Sequence, residues 1–278
     1  MRRDVVAARG RRDGRGLRSL PSPVVVAAAV GFGFLALPLV GLLVRAPWSR
    51  LGAILAEDAV RQALWLSLST AAIATVLSLL LGIPAALVLA RWQSRWVTPL
   101  RALVLLPLVM PPVVGGVALL FALGRNGFAG RWLDQWFGVT LPFTPAAVVL
   151  AETFVALPFL VVTVEGGLRS ADRGLEDAAR TLGASRSVVL RRITLPLVAP
   201  SIVAGAALCF ARALGEFGAT ITFAGNFPGR TQTMPLAVYL ALESDPEAAI
   251  ALSLVLLAVS VAVLLTLRGQ WLRGNSTT

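Results

Sequence analysis

Two side chains of opposite charge, Arg212 and Glu216, lie four residues apart in an otherwise apolar run. At that spacing they share one face of a helix and can form an ion pair. A charge near the centre of a bilayer costs roughly 2.5 to 3.5 kcal/mol on insertion scales, so both groups are expected to pair or to face water. The pair therefore either holds a helix bundle together or lines a path in which Arg212 attracts an oxyanion.

Small residues surround this pair, among them Gly215, Gly218 and Thr220, which we include in the candidate path. Small side chains permit tight helix packing or a narrow aqueous path. Glu152 is a second acid in an apolar run. It can line the path, hydrogen-bond to a neighbouring helix or relay protons. The chain has no histidine and no second acid near it in sequence, which favours the hydrogen bond.

Prolines interrupt another apolar run at Pro107, Pro111 and Pro112, and Gly115 and Gly116 follow them. Proline removes a helical hydrogen bond, so this helix should be kinked or partly unwound. Irregular backbone at membrane depth is tolerated only against protein or a water-filled cavity. Pro111 and Pro112 therefore mark either a candidate gate or a static kink.

A charged segment, "EDAARTLGASRSVVLRRITLPLVAP", interrupts the apolar runs from Glu176 to Pro200. A stripe at helical spacing precedes a glycine there, and it consists of Leu175, Ala178, Ala179 and Leu182. Gly183 is placed to end that helix in a left-handed conformation, and Ser185 to cap a second short helix. The pattern alone fits either a docking element or an amphipathic loop on lipid headgroups.

The composition indicates an all-α polytopic membrane protein, because 57% of the 278 residues are apolar, 14% are charged and the mean hydropathy is +0.80. The net charge of +11 comes from arginine alone, since there is no lysine. These arginines fall between apolar blocks rather than on one face, which argues against nucleic acid as a partner. A single cysteine, Cys209, excludes an internal disulfide and argues against a metal site.

About six blocks are long enough, or nearly so, to cross a hydrocarbon core as helices. They are Val24 to Val44, Ala63 to Ala90, Leu100 to Leu123, Pro145 to Val164, Leu197 to Ala213 and Ala248 to Leu267. The predicted organisation is a basic tail of residues 1–23, disordered or bound to headgroups, one transmembrane domain of residues 24–267, and a second tail of residues 268–278.

Arginine placement predicts the orientation of the chain in the membrane. With the N-terminus inside, eighteen arginines fall in inner segments and six in outer segments. Both termini and the charged segment are therefore predicted to be cytoplasmic.

The sequence contains no lysine, which a nucleotide-hydrolysing P-loop needs. Any transport by this chain must therefore take its energy from another polypeptide or from an ion gradient. Nothing in the sequence suggests an enzyme or a bound cofactor.

Asp177, Ala178, Ala179, then Gly183, Ile193, Leu195 and Pro196 at their spacing resemble the "EAA" loop of bacterial ABC importer permeases. An aspartate replaces the usual glutamate, with Glu176 directly before it. "LSLSTAAIATVLSLLLGIPAALVLAR", "LPLVMPPVVGG", "GVTLPFTPAAVVLAETFVALPF" and "ARALGEFGATITFAGNFPGRTQTMPLAVYLALES" resemble permeases of molybdate importers. These segments cover most of residues 60–245.

The resemblance implies a type I ABC importer permease fold with a coupling loop at about residues 165–196. It implies a bacterial plasma membrane location and a homodimer above two cytoplasmic ATPase subunits that use ATP. It also implies an extracytoplasmic binding protein that delivers molybdate, or tungstate. Sulfate or thiosulfate remains an alternative cargo, and a gradient-driven transporter or docking scaffold an alternative class. An inverted repeat would support gradient-driven transport, and none is convincing.

Overall fold

The computed structural model describes residues 21–274, with side chains to residue 263 and at residue 265. Every regular element within that range is a helix. The helices are α1 Ser22–Val44, α2 Leu51–Ala56, α3 Asp58–Arg91, α4 Val97–Val109, α5 Pro112–Leu123, α6 Gly130–Phe137, α7 Pro145–Ser170, α8 Gly174–Thr181, α9 Arg186–Val189, a π-helical turn Leu190–Thr194, α10 Leu195–Leu214, α11 Gly218–Phe223, α12 Met234–Ser244 and α13 Pro246–Gly274.

Within residues 21–274, five helical segments are long and apolar enough to cross a membrane, and the bent pair α4 and α5 can supply a sixth. The six predicted apolar blocks therefore correspond to helices of the structure. The fifth block extends further than predicted, since the helical run begins at Arg186 and continues to Leu214. Residues 1–20 of the predicted basic tail lie outside the described residues, and α13 continues as a helix beyond the predicted sixth span to Gly274.

Helix α1 belongs to a unit of its own that ends at Ala46. Each of its side chains is at least partly exposed, and its composition is apolar on all sides. A helix with such a surface is suited to lipid rather than to water. The second unit starts at Pro47 and contains the helices described below.

Helices α3, α7 and α10 pack together as the centre of the second unit, with α7 the most buried of the spans. Leu160 of α7 fits between glycines of its two neighbours. A Cβ on Gly82 would lie 2.8 Å from one methyl of Leu160, and a Cβ on Gly205 would lie 3.1 Å from the other. Glycine at these positions therefore lets both neighbouring backbones approach α7 closely.

Helices α4 and α5 form a pair whose axes differ by 117°, the geometry of a broken span or of a re-entrant loop. Met110 at the break has an extended conformation (ψ 133°), because the proline that follows disfavours the helical region. Arg101 of α4 pairs with Glu165 near the C-terminal end of α7. Leu119 and Leu120 of α5 pack in the cluster at the N-terminal half of α7. The broken pair thus extends along α7 from one end to the other, which confirms the predicted kink.

The segment between α10 and α13 folds back onto the bundle as two short helices. Helix α12 spans about 16 Å, which is too short to cross a membrane. The backbone N–H of Met234 at its start donates to Ser67 Oγ of α3 at 2.7 Å. Asp245 caps α13 by accepting from the N–H groups of Ala248 and Glu247, which holds the pKa of its carboxyl below the ordinary value.

Candidate functional site

The predicted helix, glycine turn and second helix are all present in the charged segment. Helix α8 is followed by Gly183 at φ +86°, whose N–H donates to the carbonyl of Arg180 at 2.9 Å. Glycine is favoured there because other residues are strained at positive φ. Ser185 Oγ accepts from the N–H of Val188 at 3.4 Å and caps α9, as predicted.

The apolar stripe of α8 faces away from the rest of the chain. Leu182 is 89% exposed, Leu175 is 53% exposed and Ala178 is also exposed, while Ala179 is half-buried. The exposed leucine and alanine side chains form an apolar patch on a short helix, and such patches commonly mark interaction sites. Such a patch suits either an apolar groove on another protein or the headgroup layer of a membrane, the two alternatives that the sequence pattern allows.

Glu176 lies on the other side of α8 and is buried, with 3% of its surface exposed. Its carboxylate is 2.6 Å from Arg91 at the end of α3 and accepts a hydrogen bond from Thr194 Oγ1 at 2.9 Å. Asp177, the adjacent acid, has a 71% exposed side chain. Of the two neighbouring carboxylates, Glu176 therefore joins α8 to the bundle, and Asp177 faces outward.

The remaining predicted coupling residues are neighbours in sequence of Thr194, the residue that hydrogen-bonds to Glu176. Ile193 is half-buried in the π-helical turn. Leu195 is half-buried and Pro196 exposed at the start of α10. These residues form the junction through which α8 is joined to α10.

A second buried carboxylate, Glu165, joins α4 to α7. It is 2.7 Å from Arg101 of α4 and 2.8 Å from Arg169 of its own helix. The four-residue spacing of Glu165 and Arg169 is visible in the sequence, whereas the partnership with Arg101 is not. Sequence reasoning therefore missed that α4, the first half of the broken span, is tied to α7.

Arg212 and Glu216 form the predicted ion pair, at 2.6 Å, where α10 ends. Glu216 is 1% exposed, and its second carboxylate oxygen accepts from the N–H of Ala219 at 2.8 Å. The acid thus connects the end of α10 to the first turn of α11. Gly215, between the two helices, is exposed.

The two helix breaks lie against each other. A Cβ on Gly218 would lie 2.9 Å from Pro112 Cβ, and one on Gly116 would overlap Thr222 Oγ1. Pro111 and Pro112 are exposed at the same junction. Thr220 is fully buried, and its hydroxyl has no hydrogen-bond partner within the described residues. The fold therefore brings five of the predicted path residues together where α5, α10 and α11 meet. They are Pro112, Arg212, Glu216, Gly218 and Thr220.

Glu152 of α7 is 1% exposed and accepts a hydrogen bond from Thr70 Oγ1 of α3 at 2.9 Å. This is the expected bond to a neighbouring helix. Its other carboxylate oxygen has no hydrogen-bond partner among the described residues. No second acid lies near Glu152 in the sequence, whereas the fold brings Glu216 close enough to interact with it electrostatically. That proximity joins segments 64 positions apart in the sequence, and no local pattern indicates it.

Substitution of Gly116 tests the contact between the two breaks. In Gly116→Ala the new Cβ would lie 2.6 Å from the carbonyl oxygen of Ala219 and 2.9 Å from its Cα, and backbone cannot move aside easily. We expect a loss of about 1 to 3 kcal/mol of unfolding free energy. The control is Gly166→Ala on α7, where the added Cβ meets nothing within 4 Å and should be neutral or stabilising. Equal thermal unfolding temperatures for the two purified variants would contradict the contact.

No group of three or more histidine, cysteine, aspartate or glutamate side chains that could hold a metal ion occurs in the described part of the chain. The candidate site consists of two regions that the contacts above define. One is the exposed stripe of α8, together with the Glu176–Arg91 ion pair on the buried side of that helix. The other is the junction of the two helix breaks.

Comparison with known proteins places these features in a family. Residues 78–274 match the family described as binding-protein-dependent transport system inner membrane component. The molybdenum transport system permease protein ModB of Mycobacterium tuberculosis is 50% identical over 258 residues, covering 93% of this chain and 97% of that protein. The protein of the same name from Escherichia coli is 43% identical over 211 residues, covering 76% and 92%.

Solved structures share the fold at low sequence identity. A bacterial alginate ABC transporter, crystallised with its alginate-bound periplasmic protein, matches with a TM-score of 0.70 and 18% identity, covering 91% of this chain and 96% of that one. The MetNI methionine ABC transporter matches with a TM-score of 0.60 and 16% identity, covering 76% and 95%. The predicted all-α importer permease fold is therefore confirmed. The chain belongs to the family of binding-protein-dependent transport system inner membrane components, as a relative of the molybdenum transport system permeases.

Proposed function

We propose that this chain is the permease subunit of an ATP-driven importer that moves molybdate, or the similar oxyanion tungstate, into the cytoplasm. The observation that carries the cargo assignment is 50% identity to a molybdenum transport permease over 97% of that protein. The surface that supports ATP-driven transport is the exposed apolar stripe of α8.

The assembly that fits this surface contains two copies of the chain and two cytoplasmic ATPase subunits. Each stripe docks in an apolar groove of one ATPase, and the paired copies enclose the path. ATP hydrolysis is assigned to the partner subunits, since the sequence has no lysine for a P-loop. An extracytoplasmic binding protein captures the anion and delivers it. The chain crosses the bacterial plasma membrane several times, with both termini in the cytoplasm.

Motion of α8 would reach the membrane through its two buried connections. Glu176 joins α8 to α3 through Arg91, and to the start of α10 through Thr194. Helix α10 ends at the Arg212–Glu216 pair, next to the break of the other span. In this mechanism the ATPase dimer closes, α8 moves, and the helix breaks rearrange between inward-facing and outward-facing states. The breaks serve as the gate, and Glu152 stabilises the adjacent α3–α7 contact.

Cellular molybdenum content tests the cargo assignment. A bacterial strain lacking its own molybdate permease receives this chain with its ATPase and binding protein, and grows in medium with trace molybdate and ordinary sulfate. We expect cellular molybdenum, measured by elemental mass spectrometry, to rise at least tenfold over the strain without the chain. Restored sulfate uptake without a rise in molybdenum would overturn the molybdate assignment and leave the permease role intact.

A further inference from the structure

A basic cleft lies behind the coupling helix α8. It has a volume of about 300 Å³, and its polar lining consists of Arg91, Arg173, Arg180, Arg186, Glu176 and Thr194. We call it the arginine cleft. Four guanidinium groups therefore face a single carboxylate in one concavity, and concave surfaces of one charge sign concentrate the electrostatic field.

The carboxylate in the cleft is already occupied. Glu176 is 2.6 Å from Arg91 and 3.8 Å from Arg180, and Arg180 is also 3.5 Å from Asp177. Arg173 and Arg186 form no ion pair with any described residue. Two arginines at the rim thus carry charge that the chain itself does not compensate.

The lining suits an anion with several oxygens, because guanidinium groups from three different elements face the cleft. Guanidinium groups present several N–H donors in a plane, which match the paired oxygens of phosphate-like anions. Arg91, Arg173 and Arg186 come from the end of α3, the start of α8 and the start of α9. An anion between them would connect three elements that move relative to one another if α8 transmits motion.

The docking surface for an ATPase lies on a different face of α8. Leu175 and Leu182 are exposed, whereas Glu176 is buried on the side that lines the cleft. A partner bound to the stripe would therefore leave the cleft, on the other side of α8, unoccupied.

We propose that the arginine cleft is a binding site for one tetrahedral oxyanion group per chain, supplied as a free oxyanion from the cytoplasm or as the phosphate of a membrane lipid. The occupied site joins α3, α8 and α9 and so adds to the connection made by Glu176. This inference stands on the cleft itself and does not depend on which cargo the permease carries.

Binding to the purified full-length chain tests the proposal. In neutral detergent at low salt, inorganic phosphate and molybdate are titrated separately by calorimetry into wild type, Arg173→Gln/Arg186→Gln and the control Arg95→Gln/Arg192→Gln. The control removes the same charge from exposed arginines outside the cleft. For a free-oxyanion source we expect one site per chain, with a dissociation constant raised at least tenfold in the cleft variant and less than twofold in the control.

A second arm detects a lipid source. The three proteins are placed in nanodiscs with and without phosphatidylglycerol, and bound lipids are counted by native mass spectrometry. A lipid source predicts one fewer retained anionic lipid per chain in the cleft variant than in the control, with no binding of free anions. Because Arg173 and Arg186 make no ion pair in the described chain, their variant should unfold at the wild-type temperature.

Equal binding by the cleft and control variants in both arms would overturn the proposal. So would anion or lipid binding that disappears when the ATPase subunit is added, since the partner itself would then fill the cleft.

Discussion

Replacing Leu182 with aspartate should abolish ATP-driven uptake while leaving the chain folded. Leu182 is 89% exposed and lies on the stripe of α8 beside Leu175. An unpaired carboxylate buried in an apolar groove costs several kcal/mol, so a charge there should weaken ATPase binding at least ~30-fold. The stability of the isolated chain should change by no more than about 0.5 kcal/mol, because nearly all of the residue's surface is exposed.

The measurement is co-purification of the ATPase subunit with the tagged chain, followed by molybdate uptake into proteoliposomes. Thr181→Asp is the matched control, since it adds the same charge to the exposed residue next to Leu182, outside the stripe. Normal ATPase recovery with Leu182→Asp would show that the stripe is not the docking surface.

Replacing Glu216 with alanine should cause the largest loss of stability among single substitutions at the helix breaks. Glu216 is 1% exposed, pairs with Arg212 at 2.6 Å and accepts from the N–H of Ala219 at 2.8 Å. Removing it leaves a guanidinium without its partner inside a span. Loss of one member of a buried ion pair costs about 3 to 5 kcal/mol. Thermal unfolding of the purified chain should therefore begin at a much lower temperature than in wild type.

The double variant Arg212→Met/Glu216→Met separates the two interpretations of this pair. Replacing both charges with apolar groups of similar length is often neutral, so most of the lost stability should return. If the pair acts by joining α10 to α11, molybdate uptake by the folded double variant stays within about threefold of wild type. Loss of uptake by more than tenfold in a stable double variant would instead assign Arg212 to the anion path. A wild-type unfolding temperature for Glu216→Ala would contradict the interpretation that the pair joins α10 to α11.

Local patterns in the sequence predicted the elements but not their partners. The turn at Gly183, the cap at Ser185 and the break at Pro111 each depend on residues a few positions apart, and all three are present. Spacing also predicted the pairing of Arg212 with Glu216. Such features follow from backbone geometry that a few neighbouring residues determine.

The connections between elements could not be predicted in this way. Glu176 pairs with Arg91, which lies 85 positions earlier in the sequence. Thr70 hydrogen-bonds to Glu152, which lies 82 positions later. In a chain this rich in alanine, leucine and valine, many helix faces look alike, so composition does not determine which faces meet. The short helices α11 and α12 were also missed as separate elements, because their apolar residues resemble those of a span.

The most direct test of the central claim is ATP hydrolysis by the assembled transporter in proteoliposomes. This chain is combined with its ATPase and binding protein, and molybdate, tungstate and sulfate are offered separately. We expect molybdate and tungstate to stimulate hydrolysis. Gly183→Pro should remove the stimulation, because proline cannot adopt the φ of +86° that ends α8. No stimulation by any of the three anions, in a complex that contains all subunits and hydrolyses ATP, would contradict the claim that this chain is an oxyanion importer permease.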